Sequence, residues 1–122
     1  MQPKRILIVD DDVEMANLMG EILKARQYEI LLAYDGIQAI EKSKSEKVDL
    51  ILLDIRMPFF SGFWFCEAFK QRPETRHIPV VMVSAHSGDE NCQKALDAGA
   101  QGLLKKPFLP EELLDVVDKT FN

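Results

Sequence analysis

Short apolar runs alternate with amphipathic stretches along the whole chain. Five of these runs are rich in aliphatic and β-branched side chains, which is typical of buried strands. They cover residues 5–10, 28–33, 48–54, 78–83 and 101–104. The third run is more apolar than the second, so we expect it to lie nearer the centre of a sheet.

The stretches between these runs have the 3.6-residue periodicity of amphipathic helices. Asp12 caps the first helix, which runs to Gln27, and Asp35-Gly36 opens the second. The third helix covers 62–71, with a core stripe of Gly62, Phe65, Cys66 and Phe69. The fourth runs to Ala98, which Gly99 follows as a helix-ending residue, and the last begins at Pro110. Strict alternation of five strands and five helices predicts an α/β fold, doubly wound, with one parallel sheet covered on both faces.

Length and charge limit the classes of protein to which this chain can belong. A chain of 122 residues with 47% hydrophobic residues and no internal repeat or linker predicts one domain over 1–122, with no output domain. The net charge of -5 argues against binding nucleic acid through a general basic surface. The sequence has no apolar run of membrane-spanning length and no signal-peptide pattern. Cys66 and Cys92 have no metal or redox spacing, so we expect a reduced, cytoplasmic protein.

Polar residues that can carry chemistry follow four of the five predicted strands. The first ends in Asp10-Asp11-Asp12, the third in Asp54, the fourth in Ser84, and the fifth in Lys105-Lys106. Each has an ordinary explanation alone, such as a helix cap, a turn or a solvated lysine. Ligands of open α/β sheets bind beyond the carboxyl ends of the strands, so the joint placement is the informative observation.

Crowded carboxylates repel one another, and a hard cation such as Mg²⁺ relieves that repulsion. One carboxylate can then act as the nucleophile toward a phosphoryl group. The metal and a lysine would offset the charge on the phosphoryl oxygens, and the Ser84 hydroxyl could donate a hydrogen bond to one of them.

With these motifs in this order, the chain resembles the receiver domains of two-component response regulators. The resemblance rests on residues 6–11, 53–58, 79–85, 98–100 and 106–108, together with Gly62, and covers essentially the whole chain. It implies a flavodoxin-like (βα)5 fold whose five parallel strands lie in the order 2-1-3-4-5.

The resemblance also implies a role for each acid. Asp54 would be the phosphoacceptor, taking phosphate from a sensor histidine kinase or a phosphotransfer protein of a phosphorelay. Asp10 and Asp11 would hold Mg²⁺, Asp11 and Asp54 as direct ligands and Asp10 through water. Arg56 would offer its backbone carbonyl to the metal.

Two further residues have roles by resemblance. Ser84 matches the switch hydroxyl that turns toward the phosphate. Lys106 matches the phosphate-binding lysine, which contacts the phosphate and not the metal, and its bond to Pro107 is typically cis.

Two departures from the family pattern stand out. Leu103 occupies a position on the fifth strand where the family often has Tyr or Phe, so the usual coupling of an aromatic ring to the hydroxyl is in doubt. The segment after Asp54 is rich in aromatic residues. We hypothesise that four of them form a docking or self-association surface: Phe59, Phe60, Phe63 and Trp64. The alternative is that these rings fold back over the loop as a local cluster.

The main hypothesis is a phosphorylation-controlled switch that binds a downstream protein partner or self-associates, without direct nucleic-acid or membrane contact. It is not an enzyme, beyond catalysing its own phosphorylation and dephosphorylation. One alternative is a receiver fold used as a phosphorylation-independent interaction module. Another is a haloacid-dehalogenase-like phosphatase, but that class needs an acid two residues after the nucleophile, where this chain has Arg56.

Overall fold

The computed structural model describes residues 2–57, 60–85 and 89–122, without the side chains of 57, 60 and 89–92. The strands are β1 (Arg5–Val9), β2 (Glu29–Ala33), β3 (Leu50–Asp54), β4 (Arg56–Met57), β5 (Phe60–Ser61), β6 (Val80–Ser84) and β7 (Gly102–Lys105). The helices are α1 (Val13–Lys24), α2 (Gly36–Ser45), α3 (Gly62–Gln71), α4 (Asp89–Asp97) and α5 (Pro110–Phe121). No helix of the described chain is both long and apolar enough to cross a membrane.

The five long strands form one parallel sheet in the order β2-β1-β3-β6-β7. This confirms the expected order 2-1-3-4-5. The most apolar strand, β3, is central and fully buried, whereas β2 lies at an edge. In the register, Val9 pairs with Leu53, Asp54 with Val83, and Ser84 with Lys105, so the predicted polar residues meet at one edge of the sheet.

Alternate residues of the strands build a core on each face of the sheet. One core packs strand residues against the helices α2, α3 and α4, and includes Leu7, Val9, Ile51, Leu53, Met82, Ala39, Phe65, Phe69 and Ala95. The other packs against α1 and α5, and includes Ile6, Ile8, Leu50, Leu52, Val81, Met19, Leu23, Leu113 and Val117. The predicted core stripe of the third helix is confirmed, since its four residues are all buried.

The structure differs from the sequence expectation at two places. The first helix ends at Lys24, three residues early, because the chain turns there and Gln27 has a positive φ of 71°. The segment after Asp54 contains a short antiparallel pair, β4 and β5, that hydrophobic periodicity did not indicate. Strands of two residues are too short to give a periodic pattern.

The turn from α4 into β7 requires a glycine. Gly99 has a φ of 99° and donates its N–H to the carbonyl of Leu96 at 3.0 Å, while Ala100 donates to Ala95 at 2.9 Å. This is the Schellman pattern that ends helices. A Cβ at Gly99 would also lie 2.8 Å from Cγ of Lys70, whose ammonium donates to the carbonyl of Ile78 at 2.7 Å.

We therefore expect Gly99→Ala to lower the free energy of unfolding by about 1–3 kcal/mol, because it combines a strained φ with the displacement of Lys70. Gly102→Ala is the matched control, since its nearest neighbours would lie 3.8 Å or more from the new Cβ. Urea unfolding of the two variants makes the comparison. Equal stability of both variants and the unsubstituted protein would contradict this account of the turn.

Candidate functional site

Three carboxylates converge at the carboxyl edge of the sheet. Asp10, Asp11 and Asp54 each place one oxygen within 4.8 Å of the others. Asp10 follows β1 and Asp54 ends β3, and these strands are neighbours in register. Asp10 and Asp54 are buried, while Asp11 is exposed and leaves one side of the cluster open to solvent.

The three consecutive aspartates after β1 have different local roles. Asp12 is the N-cap of α1, and its carboxylate accepts a hydrogen bond from the Met15 N–H at 3.1 Å. Asp10 accepts from the Asp12 N–H at 3.0 Å, and its own N–H donates to the carbonyl of Ala33. The ordinary explanation of these acids as helix caps therefore holds for Asp12 and leaves Asp10 and Asp11 in the cluster.

Lys106 supplies a positive charge to this cluster. Its Nζ lies 3.2 Å from Oδ2 of Asp10 and 3.8 Å from Oδ2 of Asp54. The Lys106 backbone is held by its N–H, which donates to the carbonyl of Ser84 at 2.7 Å. The Lys106–Pro107 bond is cis, as the resemblance implied. The ammonium thus contacts the acids themselves, which the sequence interpretation did not include.

The environment of Asp54 makes its carboxyl a weaker acid. Burial, followed by the neighbouring negative charge of Asp10, raises the pKa of Asp54 to about 6. Lys106 and the Arg56 N–H, which donates to Oδ1 of Asp54 at 3.3 Å, both lower this pKa and only partly compensate. The group is therefore ionised at neutral pH but more basic than an ordinary aspartate.

The other predicted site residues lie around this cluster. Ser84 is buried at the end of β6, the strand beside β3, and its carbonyl accepts from Lys106. Arg56 is in β4 and its side chain is exposed. Leu103, at the position where an aromatic is common, lies in β7 and packs against the core on the α2–α4 face.

The predicted aromatic surface is only partly described. Phe59 lies outside the described residues, and of Phe60 only the backbone is described, in β5. Phe63 is half-buried against the core, with Nζ of Lys94 6.0 Å from its ring centroid, so it contributes less to an exposed patch than expected. Trp64 is exposed, as expected.

Sequence reasoning missed a close backbone contact between α3 and the strand that carries Asp54. The Gly62 N–H donates to the carbonyl of Ile55 at 2.9 Å. A Cβ at Gly62 would lie 2.7 Å from Cα of Ile55 and 2.8 Å from the carbonyl oxygen of Asp54. The first residue of α3 therefore contacts the backbone of Asp54 and Ile55 directly. The only indication of this contact in the sequence was a glycine at the predicted start of the helix.

The donor set fits a hard divalent cation. Among the described residues, three carboxylate oxygens gather here without a soft ligand, and Mg²⁺ prefers oxygen ligands. Burial, and after it the charge of Asp10, raises the pKa of Asp54, and a bound cation would oppose both effects. Asp10, Asp11 and Asp54 are the residues that would hold such an ion.

In the metal-free protein, we expect Asp54→Asn to increase stability at pH 7. The pKa of Asp54 is higher in the folded than in the unfolded protein, so between about pH 4 and 6 the folded protein binds more protons at this residue. The ionised carboxylate therefore lowers the free energy of unfolding. This effect is absent below about pH 4 and complete above about pH 6. Two pKa units correspond to at most about 3 kcal/mol, and partial hydration reduces this to about 1–2 kcal/mol.

The measurement is urea unfolding in EDTA from pH 4 to 8, with Asp115→Asn, at an exposed position of α5, as the control. A stability difference between Asp54→Asn and the unsubstituted protein that shrinks as the pH rises would contradict the repulsion account.

The comparisons agree with this geometry. The family model described as "Response regulator receiver domain" matches residues 6–118. The response regulator PleD of Caulobacter vibrioides is 41% identical over 85% of this chain and 23% of its own length. The transcriptional regulatory protein PhoP of Bacillus subtilis, which acts in alkaline phosphatase synthesis, is 33% identical over 90% of this chain and 45% of its own length.

A solved structure of the chemotaxis protein CheY4 of Vibrio cholerae superposes with a TM-score of 0.92 and 30% identity over 97% of this chain and 98% of that one. The chain thus spans less than half of the two curated relatives but nearly all of this structural neighbour. It belongs to the family of response regulator receiver domains of two-component signalling.

Proposed function

We propose that residues 1–122 form one receiver domain that accepts a phosphoryl group on Asp54, in the presence of Mg²⁺, and thereby changes its binding to a protein partner. The donor would be a phosphohistidine of a sensor kinase or of a phosphotransfer protein, in the cytoplasm. The observation that carries this proposal is the buried carboxylate of Asp54, which lies beside two other aspartates and a lysine at the carboxyl edge of the sheet.

Asp54 is suited to act as the nucleophile. An Oδ atom of Asp54 would attack the phosphorus, forming an O–P bond while the N–P bond to the donor histidine breaks, and the histidine nitrogen takes up a proton from solvent. With a pKa of about 6, the carboxylate is ionised at neutral pH, and its basicity exceeds that of an exposed aspartate. The carboxylate is therefore available as the nucleophile at neutral pH.

Charge at the site would be redistributed during transfer. Lys106 lies 3.8 Å from Oδ2 of Asp54, so its ammonium is placed to contact phosphoryl oxygens bound there. Ser84 would donate its hydroxyl to another of these oxygens. When bound by the three aspartates, Mg²⁺ would add positive charge against the phosphoryl oxygens.

The phosphatase alternative is less well supported. It requires a carboxylic acid two residues after the nucleophile to protonate a leaving group, and the exposed Arg56 stands there. We therefore propose that the chain catalyses only its own phosphorylation and the hydrolysis of its own aspartyl phosphate.

We expect Asp54→Asn to abolish phosphoryl uptake, because an amide oxygen is a very poor nucleophile. The measurement is the mass of the intact protein after incubation with acetyl phosphate and Mg²⁺, with Asp115→Asn as the control. Addition of one phosphate per chain to the Asp54→Asn variant would place the acceptor elsewhere.

We expect Lys106→Ala to bind Mg²⁺ several-fold more tightly, since it removes a competing cation 3.2 Å from Asp10. The same variant should take up phosphate from acetyl phosphate at least tenfold more slowly, because the phosphoryl oxygens lose their ammonium partner. Calorimetric titration at pH 8 measures the first effect and intact mass against time the second. Lys105→Ala, at the exposed neighbouring position, is the control. Weaker Mg²⁺ binding by Lys106→Ala would contradict the competition argument.

A further inference from the structure

An apolar groove lies between α2 and α3, on the face of the sheet opposite α1 and α5. Its lining is Ile40 from α2, four residues of α3 (Trp64, Phe65, Ala68 and Phe69), and Arg72, the C-cap of α3. The four α3 residues repeat at four-residue spacing, 64–68 and 65–69, so the groove runs along the helix. Ile40 and Trp64 border it from the two helices, and an apolar groove is a type of site that an amphipathic helix can bind.

Large apolar side chains remain exposed along this groove. Trp64 is 58% exposed, and Ile37, one helical turn before Ile40 on α2, is 65% exposed. Single exposed apolar residues are common, but here one of the largest lines an apolar cleft and a second lies one helical turn from another lining residue. Exposed tryptophan is also the residue type most enriched at the energetic centres of interfaces.

Positive charge lies at one end of the groove. Among the described lining residues Arg72 is the only charged one, and Lys44 follows Ile40 by four residues on the same face of α2. Within the described part of the chain, neither cation forms a salt bridge. The chain as a whole carries a net charge of -5, so this groove departs from the general charge of the molecule. An occupant that fits it would place a carboxylate near Arg72.

The groove is joined to the phosphorylation site through the backbone. Gly62, the first residue of α3, donates to the carbonyl of Ile55, and Ser61 pairs with Arg56 across β4 and β5. Ser61 is also the N-cap of α3, accepting from the Trp64 N–H at 3.5 Å. A displacement of the backbone that follows Asp54 would therefore move the start of α3 and, with it, Trp64.

We propose that the α2–α3 groove binds an amphipathic helix of a partner protein, whose apolar side chains lie against Trp64 and Ile40 and whose carboxylate, one turn further on, pairs with Arg72. The state of Asp54 controls the affinity of this helix, and this part of the proposal rests on the proposed function. A second copy of the chain is a poorer occupant, because two molecules of charge -5 repel one another.

The chain supplies its own reporter for this test. Trp64 is its single tryptophan, so intrinsic fluorescence reports directly on the groove. The probe is an alanine-based helical peptide of about 18 residues, long enough to be helical in water, with leucines at i, i+4 and i+7 and a glutamate one turn later. The matched peptide has lysine in place of that glutamate.

We expect the glutamate peptide to shift Trp64 emission to shorter wavelength and to bind at least fivefold more tightly than the lysine peptide. Arg72→Glu should reverse this preference. Leu18→Glu, which alters an equally exposed apolar residue on the opposite face, should leave it unchanged. With Mg²⁺ and beryllofluoride bound, the affinity for the glutamate peptide should change at least threefold.

The groove proposal is overturned if neither peptide binds, if both bind equally, or if Arg72→Glu keeps the original preference. A second copy of the chain could instead cover the groove. The groove proposal is therefore also overturned if, without peptide, Trp64 emission shifts as the protein concentration rises and sedimentation shows a dimer at the same concentrations. Formation of the beryllofluoride adduct without a change in peptide affinity overturns the control by Asp54. If no beryllofluoride adduct forms, the proposed function is contradicted and not the groove. The preference for the glutamate peptide over the lysine peptide then still tests the groove independently.

Discussion

The packing of three carboxylates and one ammonium at the carboxyl edge of the sheet constrains the rest of the molecule. Parallel pairing of β1 and β3 brings Asp10 and Asp54 together, and Lys106 at the end of β7 offsets only part of their charge. The raised pKa of Asp54 is the consequence of burial and of this incomplete compensation. The cluster therefore offers oxygen ligands and negative charge that could hold a cation.

Short backbone contacts connect the carboxylate cluster to the surface of the protein. Gly62 holds α3 against Ile55, so α3 can respond to the strand that carries Asp54. Leu103 packs on the core and has no aromatic ring or hydroxyl that could form a hydrogen bond. The contact of α3 with the backbone after Asp54 is consequently the more direct physical path from the proposed phosphoacceptor to the exposed Trp64.

Much of this could be predicted from the sequence, because the core of a parallel sheet imposes regular patterns. Apolar runs located the strands, and the stripe from Gly62 to Phe69 located the buried face of α3. Topology placed the polar strand ends at one edge. The contact of Lys106 with Asp10, the close approach of Gly62 to Ile55 and the burial of Phe63 depend on side-chain and backbone distances, which no periodicity encodes.

The central claim is that the crowded cluster makes Asp54 the acceptor of a phosphoryl group and requires a divalent cation to do so. The direct measurement is borohydride reduction after incubation with acetyl phosphate, which converts an aspartyl phosphate to homoserine, followed by peptide mass spectrometry with and without Mg²⁺. The account predicts homoserine at position 54 alone and only when Mg²⁺ is present. Homoserine at position 10 or 11, or equal labelling of position 54 in EDTA, would contradict it.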